Sequence, residues 1–224
     1  MLREFTINEL WFLVLAARWT VLLSAIAFMG GGAGGLIIAI SRVSRFRPLA
    51  GLAAAYIKVV QGTPLLMQLY LVYFGSSLLH VHANVWTAAA LALTLYSSAF
   101  LGEIWRGCIQ AIPRDQWEAG HALALGPLPV LRYVIMPQAL RIALPPTVGF
   151  LVQLLKATSL ASIIGFTELT RAAQIVNNST FRPFAVYATV AGLYFVLCWP
   201  LSLLSERLER RLDRPRVPTL TVPV

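Results

Sequence analysis

Acid is scarce in this sequence: nine aspartates and glutamates stand against eighteen lysines and arginines in 224 residues. Charge of either sign is sparse, at 12%, while 58% of residues are hydrophobic and the mean hydropathy is +0.73. Soluble domains carry about 25% charged and about 45–50% apolar residues, so a globule of this composition would leave apolar patches in water. Lipid is the solvent that fits. The net charge of +9 does not point to nucleic acid, because the basic residues flank apolar runs in short clusters. Phosphate neutralisation needs a continuous basic surface instead.

Cysteine and histidine are too few for covalent or metal chemistry. Cys108 lies beside the charged centre of the chain and Cys198 inside an apolar run, so they form no disulfide framework and both read as packing residues. Three histidines are present: His80 and His82 share a short turn, and His121 stands on the central polar segment. No HExxH, no nucleophile-elbow serine and no phosphate-cradling Gly-Lys-Ser/Thr loop occurs, which leaves no metal centre, no catalytic cluster and no nucleotide site. Arg3 and Glu4 open the chain, and no small-residue cleavage site closes an early apolar stretch. The first span is therefore expected to serve as its own targeting signal.

What the chain does have is apolar runs long enough to cross a bilayer, about 20 residues each. Residues 1–18 mix Phe5, Trp11 and Phe12 with Glu4, Glu9 and Arg18 and read as an exterior interfacial helix. A first span follows from Trp19 to Ile40, and its glycines at 30–35 suit close helix approach. A second apolar region, Leu52–Leu79, is interrupted at Gly62-Thr63-Pro64, where proline removes a donor and clashes with the preceding turn. A third span covers Val85–Ile104. Residues 105–136 read as a cytoplasmic loop, with one helix of about a dozen residues opened by Pro113 and stopped by Gly126-Pro127. A fourth span, Pro137–Ile164, should bend at Pro145-Pro146; residues 167–183 read as a second loop; and a fifth span runs Phe184–Leu204. The expected fold is an all-α integral membrane protein with about five transmembrane helices plus short cytoplasmic helices. Residues 19–206 form the transmembrane domain and 207–224 a basic cytoplasmic tail.

Positive charge orients this arrangement. Arg42, Arg45 and Arg47, then Arg106, Arg114, Arg132 and Arg141, then Arg207, Arg210, Arg211, Arg214 and Arg216 fall on one side, twelve in all. Arg3, Arg18, Arg171 and Arg182 fall on the other. Loops rich in arginine stay cytoplasmic, which puts the N-terminus outside and the C-terminus inside.

Ionisable residues within spans are costly, about 2.5–3.5 kcal/mol for lysine at a helix centre, and usually face a bundle interior or water. Glu103 fits snorkelling at a span end. Lys58 with Gln61, and Gln153 with Lys156, make polar pairs at helical spacing and are candidate pore or substrate residues.

The central segment carries a motif. EAGHALALG, Glu118–Gly126, followed by VIMP, Val134–Pro137, resembles the EAA loop of ABC importer permeases. Glu118 and Ala119 match that pattern, Gly120 replaces its third residue, Ala124 stands where glycine is usual, and Ile135 and Pro137 close it with Met136 in place of leucine. GTPLLMQLYLVYFG (62–75), AFLGEIWRGCIQAIPRDQWEAG (99–120), MPQALRIALPP (136–146), LLKATSLASIIG (154–165), TELTRAAQ (167–174) and FRPFAVY (181–187) resemble the polar amino-acid uptake subfamily, over about residues 15–210.

The resemblance implies a permease subunit of an ATP-driven importer in the bacterial cytoplasmic membrane, moving a small polar solute such as an amino acid. It implies an extracytoplasmic solute-binding protein, a dimer of ATPase subunits that alone binds ATP, and a second permease, the same chain or a paralogue. The ATPase-coupling loop would use Glu118, Ala119, Gly120, Ala122, Ala124, Gly126, Ile135 and Pro137. Its small residues, Gly120 above all, would let the ATPase approach closely, and Glu118 would offer it a charge or cap its own helix. The subfamily usually has Glu and Arg where this chain has Lys58 and Gln61, so an acid–base arrangement becomes one base and one amide, and the solute is open. The alternative is a secondary transporter without an ATPase; it would need inverted repeats or an acid–base relay, and no internal repeat is visible.

Overall fold

Helix α1 spans Ile7–Val43, and its start is marked by the Glu9 carboxylate accepting from the Thr6 backbone N–H at 3.0 Å. The structure, a computed structural model, describes residues 4–44, 46–78, 80 and 83–212, and all its regular elements there are helical. The expected boundary between an interfacial segment and a first span at residue 18 is not a break, since neither proline nor glycine stands there to end the helix. At 1.5 Å per residue α1 is about 55 Å long, well beyond the roughly 30 Å hydrocarbon core.

Glycines seat α1 on α4 (Val85–Gln110). A Cβ on Gly31 would lie 2.2 Å from the Ser97 Cβ, one on Gly34 2.9 Å from the Ser98 Cβ, and one on Gly102 2.6 Å from Ile38 Cγ2. The two backbones approach to where only glycine fits on one side or the other. The pairing also runs in register from Trp19 against Trp86, with ring centroids 5.3 Å apart, to Gly35 against Gly102. Residue numbers rise together, so α1 and α4 are parallel.

Parallel neighbours require the chain between them to return across the bilayer. That return is α2 (Arg47–Gly62) followed by α3 (Leu65–Leu78), which meet at 103° across Thr63-Pro64. α1, α4, the run Pro127–Ile164 and α9 (Pro183–Leu212) are each long and apolar enough to cross alone, and the bent pair is the fifth crossing. Proline at 64 breaks the helix as expected. The side-chain amide of Gln68 then donates to the freed carbonyls of Val60 at 2.7 Å and Thr63 at 3.1 Å, replacing the bonds the break removes.

The remaining helices close the bundle. α5 (Arg114–Ala122), a three-residue α6 (Pro127–Pro129) and a π-helical turn (Val130–Ile135) lead into α7 (Met136–Ala157), which is helical through Pro145 and Pro146. α7 runs antiparallel to α4: Trp105 Nε1 donates to Thr147 Oγ1 at 2.9 Å, and Phe100 and Phe150 stack with centroids 5.7 Å apart. A 3-10 stretch (Thr158–Ile164) ends at Gly165, whose φ of 91° suits glycine alone. The expected loop at 167–183 is largely helix α8 (Leu169–Thr180), whose apolar face Leu169, Ala172, Ala173 and Val176 is buried against α1 and α9. α9 lies antiparallel on α7 and continues past residue 207 without interruption to Leu212, where the described part of the basic tail ends.

Candidate functional site

The charged end of the bundle gathers the C-terminal ends of α1 and α4 with α5 and the π-helical turn. α5 begins after Pro113, has Asp115 in its first turn and His121 in its last, and so complements its own dipole. It is nine residues long, shorter than Pro113 and Gly126-Pro127 suggest. Ala124 ends it early by taking a φ of 55°; Leu125 N–H then bonds Gly120 O at 3.2 Å and Ala124 N–H bonds His121 O at 2.9 Å. This pair of bonds is a Schellman cap, whose left-handed residue is ordinarily glycine. Glycine's usual place in the related motif thus has a conformational cause, and alanine here holds a strained angle.

The structure sorts the eight loop residues into two sets. Glu118, Ala119, Ala122, Ala124, Gly126 and Pro137 are exposed. Gly120 and Ile135 are buried, beside the cluster of Ile109, Ile112, Val130 and Ala139. A Cβ on Gly120 would lie 2.7 Å from Val130 Cγ2 and 3.1 Å from Cγ1. Within the chain, the contact that requires glycine at 120 is made to the π-helical turn ten residues later. Glu118 sits in mid-helix and its side chain makes no hydrogen bond among the described residues, so it caps nothing. Gln138 ties the loop down, its amide donating to Val134 O at 2.8 Å and to Gln116 Oε1 at 3.3 Å.

In the spans, Lys58, Gln61, Gln153 and Lys156 are all exposed, and their side chains have no hydrogen bond or ion pair among the described residues. α2 packs on α1 and α4, whereas α7 packs on α4, α9 and α1. The chain alone gives these four polar groups no cover. Glu103, by contrast, pairs with Arg106 one turn on, and Arg106 also donates to Gln110. Of the two histidines that share the turn before α4, His82 lies outside the described residues, as do Arg3, Arg45, Arg214 and Arg216.

The sequence reading passed over a buried carboxylate. Glu168 is 0% exposed and caps α8, accepting from Thr170 N–H and Arg171 N–H, each at 2.9 Å. The Tyr194 hydroxyl donates to the same carboxylate at 2.9 Å, and Thr20 Oγ1 accepts from Leu169 N–H at 3.1 Å, so α1, α8 and α9 meet at one polar knot. Burial pushes the Glu168 carboxyl above its ordinary range, while those N–H and O–H donors pull it down without cancelling the shift. The signal available beforehand was a lone acid directly preceding the amphipathic run Leu169–Val176.

Residues 31–214 match the family described as binding-protein-dependent transport system inner membrane component. The chain is 36% identical over 197 residues to the L-cystine transport system permease protein TcyB of Bacillus subtilis, covering 88% of this chain and 84% of that one. It is 34% identical over 202 residues to the glutamine transport system permease protein GlnP of Escherichia coli K12, covering 89% and 92%. Among solved structures it resembles an amino acid ABC transporter crystallised with histidines, at a TM-score of 0.88 and 36% identity over 94% of this chain and 100% of that one. The inward-facing MetNI methionine transporter shares the fold, at a TM-score of 0.75 and 19% identity over 94% and 100%.

Proposed function

The chain belongs to the binding-protein-dependent transport system inner membrane components, the permease subunits of ABC importers, and we propose that it passes a polar amino acid across the bacterial cytoplasmic membrane as one half of a paired permease. It is a multi-pass transport component rather than an enzyme, and its family works with an ATPase and an external binding protein. The cargo follows the cystine and glutamine permeases it resembles. The N-terminus is exterior and the C-terminus cytoplasmic, by the distribution of arginine. ATP is bound by the ATPase subunits, since this sequence has no phosphate-cradling loop.

The observation that carries the coupling role is the outer face of α5. Glu118, Ala119 and Ala122 stand exposed on a short helix that is braced from behind by Val130 and Gln138. A helix held rigidly on one side and bare on the other can transmit a push from a docked ATPase to α4 and α7. The second permease, the same chain or a paralogue, covers Lys58 and Gln61 and Gln153 and Lys156, which then line a shared path.

Ala119→Trp tests the docking face. The replacement adds bulk where nothing in the chain is displaced, so membrane insertion and thermal stability should hold. Co-purification of the ATPase and solute-stimulated ATP turnover should each fall about tenfold or more, the scale of a disrupted interface hot spot. Normal ATPase retention and turnover would place docking elsewhere.

A further inference from the structure

Two cavities at the arginine-rich end of the bundle adjoin at Ile109. The first is an apolar crevice of about 350 Å³ between α1, α4 and α7, lined by Gly32, Leu36, Ile40, Trp105, Leu140 and Ala143 among others. The second, about 500 Å³, is lined by Arg42, Gln110, Arg114 and Trp117 with apolar neighbours. Ile109 lines both, and Val43 of the second stands three residues after Ile40 of the first, on the same face of α1. From Gly32 to Ile40 the crevice follows about 12 Å of helix. Gly32 keeps it open: a Cβ there would meet only Trp105 Cη2, at 3.8 Å.

We infer that this compound cavity is a binding site for an anionic phospholipid, its acyl chain in the crevice and its phosphate between Arg42 and Arg114. Lipid is the medium against which an apolar crevice of a spanning bundle opens, and a hydrocarbon chain matches a lining with almost no polar surface. The phosphate is called for by the other end. Arg42 Nε is buried and has no hydrogen-bond partner among the described residues, although it is a charged donor. The one carboxylate near Arg42 among the described residues, Glu103, is hydrogen-bonded by Arg106 instead. Arg114 is exposed, and Trp117, half-buried on α5, offers the amphipathic ring that favours the headgroup level. Basic pockets between transmembrane helices on the cytoplasmic side recognise anionic headgroups by this combination. Such a lipid would brace α1, α4 and α5 together at the coupling end.

The inference rests on the proposed membrane placement and not on the cargo. The test is lipid retention by the full chain in native mass spectrometry, after titration with phosphatidylglycerol or phosphatidylcholine of matched chain length. The wild-type chain should prefer phosphatidylglycerol by roughly tenfold to thirtyfold, two arginines acting at short range. Arg42→Gln with Arg114→Gln should bring that preference to within about twofold. Gly32→Leu fills the crevice and should reduce retention of both lipids. Arg132→Gln removes an exposed arginine that lines neither cavity and should change nothing. Unfolding is controlled by the elution profile and melting temperature of each variant. Equal retention of the two lipids by the wild type overturns the site. So does a loss in Arg132→Gln as large as in the double variant, which would reduce the effect to general surface charge. If the double variant weakens ATPase association yet keeps its lipid, the basic cavity belongs to the ATPase interface and this proposal falls, with the importer reading intact. If uptake and ATPase coupling fail for the wild type while lipid selectivity holds, the converse applies.

Discussion

Replacing Gly120 by alanine separates a contact inside the chain from one with a partner. The new Cβ would lie 2.7 Å from Val130 Cγ2 and 3.1 Å from Cγ1, and Val130 is fully buried between Ile109, Ile112 and Ile135. Overpacking of this kind costs about 1–3 kcal/mol. Higher helix propensity returns at most about 1 kcal/mol, and less near a helix end. A net loss on the order of 1 kcal/mol is expected. Val130→Ala alone removes two methyl groups and should cost about 2 kcal/mol in transfer and cavity terms. In the double variant the alanine at 120 enters the space vacated by Val130, so the two losses should fall short of their sum by about 1–2 kcal/mol. Thermal unfolding in detergent measures the cycle. Hydrogen exchange across residues 111–136 locates it, and the purified permease without its ATPase is the right sample. Gly120→Leu should then raise exchange in that loop before any ATPase is added. Additivity within about 0.3 kcal/mol, or a loop that exchanges normally in Gly120→Leu until the ATPase is supplied, would return Gly120 to an intermolecular role and refute the packing account.

Ala124→Gly should stabilise the α5 cap by about 1 kcal/mol, because position 124 holds a φ of 55° that crowds an alanine Cβ against the following carbonyl oxygen; slower exchange of the Leu125 amide would register it, and a destabilised cap would contradict the left-handed geometry. Glu168→Ala should cost about 2 kcal/mol, since it removes the cap of α8 and breaks the Tyr194 hydroxyl's bond to the carboxylate, leaving that hydroxyl only Thr170 Oγ1 at 3.0 Å. Glu168→Gln isolates the ionisation. The folded carboxyl sits above its ordinary value through burial, so the native state holds the proton more tightly. The Glu168 contribution is then fully present below the unfolded pKa of 4.5 and declines as pH rises through the folded one. The melting-temperature difference between wild type and Glu168→Gln should therefore shift against the wild type over that window and level off above it, and a difference that does not vary with pH would remove Glu168 from the linkage.

The spans were legible because hydropathy and proline act locally. Pro64 announces the break between α2 and α3 without knowledge of what packs nearby, and the glycines at 30–35 announce a close approach without naming α4. What stayed hidden depends on partners distant in sequence. That Gly31 meets Ser97, or that Gly120 meets Val130, follows only once two helices have docked. α8 read as a loop because its mixed polarity carries no span-like hydropathy; its helix period is carried by Leu169, Ala172, Ala173 and Val176, and small alanines mark a buried face weakly. Gln68 looked like one more polar residue in an apolar run, although its offset from Pro64 is what lets it reach Val60 O and Thr63 O. The coupling motif was visible as a motif, but only the φ of Ala124 explains why one of its positions favours glycine.

The four polar span residues carry the remaining step from fold to assembly. A lysine at the centre of a spanning helix costs about 2.5–3.5 kcal/mol if lipid surrounds it, and long side chains reduce that cost only by reaching an interface. Lys58 lies four residues before the break at Gly62, and Lys156 lies at the end of α7 where the 3-10 stretch begins. Both are therefore placed where helical regularity fails, the part of a membrane protein in which irregular backbone is tolerated only when protein or a water-filled cavity adjoins it. Neither is paired among the described residues. The bent α2–α3 pair, required to cross because α1 and α4 are parallel, turns its polar break outward as well. A permease that buried these features internally would need no second copy; the bare face is what supports the proposed pairing, in which water and solute would be enclosed between two permeases.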